Sequence, residues 1–258
     1  MRAILFDIDG VLLQNGSAID GAAATLSWVQ RHAIPFRLLT NTTSRNRASI
    51  CAGLNRHGLQ VSETDIITPP VAARQWLQQQ QCDRVELLVP EGIRGEFAVS
   101  DASPAVDAIV VGDLGAGFTF ERLNSAFRLL MDNPQAALVA LGMTRYFVGS
   151  DGLQLDVGPF IKALEYASGR QAQVMGKPAA AFFRLALDEL GVSADQTLMI
   201  GDDWLGDVLG AQACGIHGCL VRTGKYRKGD ELADADGLAA QYVLDSVADL
   251  PALWARLQ

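Results

Sequence analysis

Residues 3–12 read AILFDIDGVL, an apolar run that is interrupted by two carboxylates, Asp7 and Asp9. Unpaired charge inside a core is very costly, so acids at these positions need a purpose. In an extended strand, residues i and i+2 point to the same side, so Asp7 and Asp9 are expected to share a face. Ligands of open α/β sheets bind at the carboxyl ends of strands, which is where this pair is predicted to lie. Taken alone, the pair also fits a structural polar cluster.

Short apolar strands alternate with helical stretches towards both ends of the chain. The sequence predicts strands at residues 3–9, 36–40, 197–200, 217–222 and 242–244. It predicts helices at residues 21–33, 44–57, 182–190, 207–214 and 247–257. Strands and helices that alternate with short links favour a parallel sheet covered on both faces, so the predicted fold class is α/β.

The middle of the chain predicts a second α/β module inserted into the first. Strands are predicted at residues 85–89, 108–111 and 137–141, with a helix at 120–131. We therefore expect one domain made of residues 1–71 and 174–258, and an inserted domain made of residues 72–173.

Composition limits the classes of protein to which the chain can belong. It has 258 residues, of which 49% are hydrophobic and 19% charged, so it can build a substantial core and is not a disordered chain. The net charge of −8 repels phosphate backbones, so we expect no nucleic-acid partner. Any anionic substrate must therefore be captured by a local site.

Three further features bear on the cellular compartment. The two aspartates cut the N-terminal apolar run, and no small-residue cleavage site follows, so we expect no signal peptide. No apolar segment approaches the roughly 18 uninterrupted residues of a membrane span, so no membrane association is expected. The four cysteines are sparse and scattered, which favours a reducing environment. Together these features predict a cytoplasmic protein.

Donor groups occur at two other points where a strand or loop meets a helix. Thr40 and Asn41 follow a predicted strand, and hydroxyl and amide donors beside a helix N-terminus can bind an anion. Lys177 lies in a Gly-Lys-Pro motif before a predicted helix, where its ammonium can reach a phosphate or a carboxylate. Each motif alone also has an ordinary explanation, as a helix cap and as a solvated loop lysine.

A second group of acids follows the strand predicted at 197–200. Asp202 and Asp203 end that strand, and Asp207 comes about one helical turn later. Asp7 and Asp202, at two strand ends, would supply the oxygen ligands that Mg²⁺ prefers. A bound cation would also explain how several acids converge without prohibitive repulsion.

The ordered set of motifs resembles the haloacid dehalogenase (HAD) superfamily. The four motifs are Asp-x-Asp-Gly, Thr-Asn, Gly-Lys-Pro and Gly-Asp-Asp, each at a strand end or helix start. The insertion between the second and third resembles the large α/β cap of class IIA, and segments 155–167 and 221–227 resemble a subgroup that acts on P–N bonds or pyrophosphate. The resemblance implies a HAD-like Rossmannoid core with a parallel sheet (1–71 and 174–258) plus an inserted α/β cap domain (72–173).

The resemblance also implies a Mg²⁺-dependent phosphatase with defined residue roles. Asp7 would be the nucleophile that forms an aspartyl-phosphate. Asp9 would be the general acid and then the general base, and its backbone carbonyl would bind Mg²⁺ together with Asp7 and Asp202.

The remaining motif residues would bind phosphate or orient other groups. Thr40, Asn41 and Lys177 would hold the phosphoryl oxygens. Asp203 and Asp207 would orient Lys177 or metal-bound water. The implied partner is a small phosphorylated substrate, and the resemblance further implies a homodimer formed through the cap.

The motifs leave substrate and reaction class open. A P–N bond, pyrophosphate or a small phosphomonoester all fit the implied chemistry. A phosphotransferase is an alternative, as is a receiver-like phospho-acceptor without net hydrolysis, although a receiver is about half this length and needs no second acid two residues after the first.

Overall fold

The fold is described from a computed structural model of the chain, which describes residues 1–97, 105–149, 152–232 and 237–258. The strands are β1 (Ala3–Asp7), β2 (Leu13–Gln14), β3 (Ser17–Ala18), β4 (Phe36–Leu39), β5 (Ile66–Ile67), β6 (Val85–Leu88), β7 (Ala108–Val111), β8 (Ala137–Ala140), β9 (Tyr146–Gly149), β10 (Gly152–Leu155), β11 (Gln173–Val174), β12 (Thr197–Gly201), β13 (His217–Val221) and β14 (Tyr242–Leu244).

The α-helices are α1 (Ala22–Arg31), α2 (Arg47–Arg56), α3 (Pro69–Gln79), α4 (Glu91–Arg94), α5 (Phe120–Asp132), α6 (Val157–Ser168), α7 (Ala180–Leu190), α8 (Gly210–Gln212) and α9 (Leu250–Arg256). A π-helical turn at Trp204–Leu209 precedes α8. Short 3-10 turns lie at Glu63–Asp65, Gly115–Gly117, Ala194–Gln196 and Val247–Asp249. None of the helices in the described ranges combines the length and apolar character needed to cross a bilayer.

The chain divides into two compact units. The first contains Met1–Thr40, Arg47–Ile67 and Lys177–Gln258, and the second contains Asn41–Asn46 and Thr68–Gly176. The second unit thus contains residues 41–46, 68–71 and 174–176, which the sequence placed in the first domain. The roles of catalytic core and cap stay predictions for these units.

A parallel sheet organises the first unit. Its described strands follow the order β14-β13-β12-β1-β4-β5, and every neighbouring pair runs parallel. Ile4 and Phe6 of β1 belong to a core cluster with residues of α1, α2 and α9, and the intervening Leu5 is fully buried as well. Both faces of β1 are therefore covered, and the predicted α/β class with a parallel sheet is confirmed.

The first strand is shorter than the sequence predicted. It ends at Asp7 rather than residue 9, because the chain then turns back and the backbone N–H groups of Leu12 and Leu13 both donate to the carbonyl of Ile8. Gly10 takes a φ of 91° in this turn, a left-handed conformation that glycine adopts without strain. Asp9 therefore lies in the loop after the strand and does not share a pleated strand face with Asp7.

The second unit contains its own parallel sheet, with the described strands in the order β11-β8-β7-β6. The strands predicted at 85–89, 108–111 and 137–141 correspond to β6, β7 and β8, and the helix predicted at 120–131 corresponds to α5. The two-residue β11 was not predicted, because so short a strand leaves little periodic signal. The antiparallel hairpin of β9 and β10 was not predicted either, and all four residues of β10 are exposed, so no buried apolar run marks that strand. Residues 98–104 and 150–151 of the predicted insertion lie outside the described residues.

Candidate active site

Three buried aspartates converge where β1 and β12 end. β1 pairs with β12 in parallel, with Phe6 opposite Ile200, so the carboxyl ends of the two strands are adjacent. Asp7 is the last residue of β1, and Asp202 directly follows β12. Together with Asp207, each offers a carboxylate oxygen within 4.8 Å of the others, and all three residues are buried. The convergence that the sequence predicted for Asp7 and Asp202 is present in this geometry.

Lys177 supplies a buried positive charge to this cluster. Its Nζ lies 2.5 Å from Oδ1 of Asp7 and 2.6 Å from Oδ1 of Asp207, and its side chain is only 4% exposed. Burial lowers the pKa of a lysine, but the carboxylates of Asp207 and Asp7 outweigh that effect and hold the pKa of Lys177 above its ordinary value. The ammonium therefore stays protonated and neutralises part of the acid cluster.

The acids nevertheless carry more negative charge than Lys177 can balance. Burial raises the pKa of Asp7 to about 6, although the charge of Lys177 opposes the rise. The pKa of Asp207 is also raised to about 6, first by burial and then by the charge of Asp7. Raised pKa values mean that the ionised carboxylates are poorly stabilised by the protein alone, so a bound cation would be favourable.

Asp202 has one satisfied and one unsatisfied carboxylate oxygen. Its Oδ2 accepts a hydrogen bond of 2.6 Å from the backbone N–H of Lys225. Its Oδ1 is buried and has no hydrogen-bond partner among the described residues. A buried acceptor without a partner costs about 1–3 kcal/mol. Together with the other carboxylates this oxygen forms a set of hard donors, which fits the preference of Mg²⁺.

Glycines allow the backbone to come this close to the acids. A Cβ atom on Gly10 or Gly224 would overlap the carboxylate of Asp202, and one on Gly201 would overlap the side chain of Asp207. Gly10 and Gly224 also have left-handed φ values of 91° and 62°. Side chains at these positions would therefore displace the acids that define the site.

The other predicted site residues take different positions. Asp9 is exposed in the loop after β1, where its backbone pairs with Leu13. Thr40 is buried directly after β4, and its backbone N–H donates to the carbonyl of Ile67. Asn41 is the first residue of the second unit and is exposed.

Asp203 and Asp207 have distinct contacts. Asp207 contacts Lys177 directly, as described above. The Oδ1 of Asp203 instead accepts hydrogen bonds from the backbone N–H groups of Leu205 and Gly206 and so caps the π-helical turn, which starts earlier than the helix predicted at 207–214. The Oδ2 of Asp203 lies 3.3 Å from Nζ of Lys225.

The segment Thr223–Gly224–Lys225 was assigned no site role from the sequence. It directly follows Arg222, the residue after β13, and thus comes to the same sheet edge as the loops after β1 and β12. The sequence did contain a signal, because polar and glycine residues follow a predicted apolar strand here as they do after the strand at 3–9. Attention to every strand end of the sheet would have found it.

Comparison with known proteins agrees with this geometry. A family described as haloacid dehalogenase-like hydrolase matches residues 4–102, and one described as HAD-hydrolase-like matches residues 174–250. The human protein named phospholysine phosphohistidine inorganic pyrophosphate phosphatase is 42% identical over 235 residues, which cover 90% of this chain and 86% of that protein. The bovine haloacid dehalogenase-like hydrolase domain-containing protein 2 is 39% identical and covers 90% of this chain and 88% of its own length.

A solved structure is also similar to this chain, over nearly its whole length. The p-nitrophenyl phosphatase from Archaeoglobus fulgidus superposes with a TM-score of 0.88 at 26% identity, covering 98% of each chain. The acid cluster, the buried lysine and these similarities agree, and the chain therefore belongs to the haloacid dehalogenase-like hydrolases, as one of the phosphatases of that family.

Proposed function

We propose that the protein is a Mg²⁺-dependent phosphatase that hydrolyses a small phosphorylated substrate through an aspartyl-phosphate on Asp7. The observation that carries the proposal is the set of three buried carboxylates within 4.8 Å of one another, with Lys177 between two of them. Phosphoryl transfer depends mainly on positioning the reacting groups and on neutralising their charge. The carboxylates and Lys177 of this cluster would serve both purposes.

In the first step, Asp7 and Asp9 act on opposite sides of the phosphorus. A carboxylate oxygen of Asp7 forms a bond to phosphorus while the bond from phosphorus to the leaving group breaks. Asp9, in its protonated form, donates a proton to the leaving group. The exposed position of Asp9, two residues from the buried Asp7, suits a group that must exchange protons with solvent and substrate.

In the second step, the aspartyl-phosphate is hydrolysed. The Asp9 carboxylate takes a proton from a water molecule, whose oxygen attacks phosphorus and releases the Asp7 carboxylate and inorganic phosphate. Asp9 ends the cycle protonated, ready for the next substrate.

Three residues would hold the phosphoryl group, and three would hold the metal. Lys177 would bind a phosphoryl oxygen through its ammonium, assisted by Thr40 and by Asn41, the next residue along the chain. Mg²⁺ would be held by the carboxylates of Asp7 and Asp202 and by the backbone carbonyl of Asp9. When bound, it would neutralise charge on the phosphoryl oxygens and on the acids.

The substrate class that we favour is a P–N bond or pyrophosphate, ahead of a phosphomonoester. The support is the name of the human relative, together with its 42% identity over most of both chains. The same proposal places the protein in the cytoplasm, on the sparse cysteines of its sequence.

A phosphate-release screen tests the proposal. The protein is assayed with Mg²⁺ against p-nitrophenyl phosphate, pyrophosphate, phosphohistidine, phospholysine and common phosphomonoesters. We expect multiple turnovers on at least one substrate and none for Asp7→Asn with its fold intact by circular dichroism. Substantial turnover by Asp7→Asn would disprove the assignment of Asp7 as the nucleophile. One phosphate bound per chain without release would indicate a phospho-acceptor, and release only with an added acceptor would indicate a phosphotransferase.

A further inference from the structure

The segment Thr223–Gly224–Lys225 contacts both acid-bearing loops of the first unit. The hydroxyl of Thr223 donates to the carbonyl of Gly10, in the loop after β1. The backbone N–H of Lys225 donates to Oδ2 of Asp202, after β12. Two hydrogen bonds therefore tie this one segment to the chain on either side of the acid cluster.

Gly224 brings this segment into direct contact with Asp202. A Cβ atom at this position would overlap Oδ2 of Asp202 and would lie 2.5 Å from Cα of Gly10. Gly224 also has a φ of 62°, which other residues adopt only with strain. The close approach lets the next residue, Lys225, place its backbone N–H 2.6 Å from the carboxylate.

The orientation of Asp202 follows from these contacts. With Oδ2 held by Lys225, the side chain cannot rotate freely, and Oδ1 is left buried without a hydrogen-bond partner among the described residues. Asp202 is also one of the three aspartates that each offer a carboxylate oxygen within 4.8 Å of the others, together with Asp7 and Asp207. A cation bound at Oδ1 would offset the cost of leaving it buried and unsatisfied.

The side chain of Lys225 forms a third contact of this segment. Nζ of Lys225 lies 3.3 Å from Oδ2 of Asp203, whose other oxygen caps the π-helical turn at Trp204–Leu209. The lysine side chain is 69% exposed, so this ion pair is screened by water and contributes less than the two hydrogen bonds. The turn after Asp202 is nevertheless joined to the same segment.

We infer that Thr223–Gly224–Lys225 is the positioning segment that sets the affinity of the acid cluster for Mg²⁺, by holding Asp202 with one oxygen directed at the cation. The inference rests on the proposed Mg²⁺ site and adds residues that do not themselves bind the metal. Groups that orient metal ligands commonly change metal affinity by about 10–100-fold when they are removed.

Calorimetric titration of the full chain with MgCl₂ tests the inference without any substrate. We expect Thr223→Val to weaken Mg²⁺ binding by about tenfold, Gly224→Ala by more, and Thr223→Ser to bind like the parent protein because it keeps the hydroxyl. The matched control is Thr25→Val, which removes a hydroxyl-to-carbonyl hydrogen bond to Val247, between α1 and the turn before α9. Thr25→Val should lower thermal stability and leave the Kd for Mg²⁺ unchanged.

The outcomes separate the inference from the proposed function. If the parent protein binds no Mg²⁺, the proposed metal site is wrong, and the inference falls with it. If the parent protein binds Mg²⁺ and Thr223→Val binds equally well, only the inference is overturned. Weaker binding by Thr25→Val to the same degree as Thr223→Val would also overturn it, because general destabilisation would then explain both.

Discussion

Nζ of Lys177 lies 2.6 Å from Oδ1 of Asp207, and both side chains are at most 4% exposed. The same Nζ lies 2.5 Å from Asp7. One buried cation therefore stabilises two buried anions at once. The free energy of ionising each of the two acids in the folded protein depends on Lys177. Removal of this cation should therefore affect folding as well as activity.

Replacement of Lys177 by Met should destabilise the metal-free protein by about 3–5 kcal/mol at pH 7, because two buried carboxylates lose their counter-ion. The pKa values of Asp7 and Asp207 are already raised to about 6, and without the ammonium they should rise further. A raised folded-state pKa contributes stability below the unfolded pKa of about 3.9 and loses it as the pH rises through the folded value. Urea unfolding of Lys177→Met with EDTA should therefore show a stability that increases as the pH falls from 8 to 5.

The double variant Lys177→Met/Asp207→Asn is the matched control for this prediction. It removes one of the two carboxylates left uncompensated, so it should be more stable at pH 7 than Lys177→Met and depend less on pH. An equal loss of stability at pH 5 and pH 8 for Lys177→Met would show that lost packing, rather than charge, is the cause.

Replacement of Asp9 by Asn should separate the two chemical steps. Loss of a general acid–base group lowers the rate by about 10²–10⁴-fold. p-Nitrophenyl phosphate has a good leaving group, so the first step should be less affected than the second, which needs Asp9 as base. Intact-mass measurement should then detect one phosphoryl group on Asp9→Asn and none on Asp7→Asn/Asp9→Asn. Rapid turnover without any accumulation would contradict the role of Asp9 as base.

The sequence was sufficient to predict the α/β class and the acids at the ends of the strands that became β1 and β12. Both strands are largely apolar and fully buried, so they are visible as short hydrophobic runs. β1 ends on Asp7, and β12 is followed at once by Asp202. The sheet places their ends side by side, which explains why a pattern of strand ends predicts a site.

Other parts of the site could not be predicted in the same way. The orientation of Asp202 depends on the backbone N–H of Lys225, and every residue type except proline carries that group. The strand predicted at 3–9 ends at Asp7 because of hydrogen bonds to the carbonyl of Ile8, which no side-chain pattern encodes. Backbone hydrogen bonds thus determine the orientation of Asp202 and the end of β1, and the sequence pattern does not show where backbone groups point.

Removal of divalent cations should stop hydrolysis and should also lower stability. A ligand that binds only the folded state stabilises it by an amount that grows with its concentration, about 2.7 kcal/mol at 100 times Kd. The Tm of the parent protein should therefore rise with added MgCl₂, return to its starting value with excess EDTA, and rise again on addition of more MgCl₂. Asp202→Asn should show a much smaller rise, since it loses a charged ligand. Turnover that persists in EDTA would contradict the assignment of Asp202 as a metal ligand.

The ion pair of Arg84 and Asp107 in the second unit should make folding stability depend on pH in a more acidic range than the Lys177 cluster does. The carboxylate of Asp107 accepts hydrogen bonds from the Arg84 guanidinium and from the backbone N–H groups of Arg84 and Asp83. The guanidinium, first, and these N–H groups hold the pKa of Asp107 at about 2. A lowered folded-state pKa contributes stability above the unfolded value of about 3.9, and that stability is lost as the pH falls through about 2.

Asp107→Asn should therefore cost about 1 kcal/mol at pH 7, a modest value because the pair is partly exposed to water. The difference from the parent protein should shrink as the pH is lowered from 5 towards 2, as measured by urea unfolding at each pH. The matched control is Asp132→Asn, which removes an exposed carboxylate of the same unit that forms no ion pair among the described residues. A difference between Asp107→Asn and the parent protein that stayed constant from pH 7 to pH 2 would show that the hydrogen bonds of Asp107 do not depend on its charge.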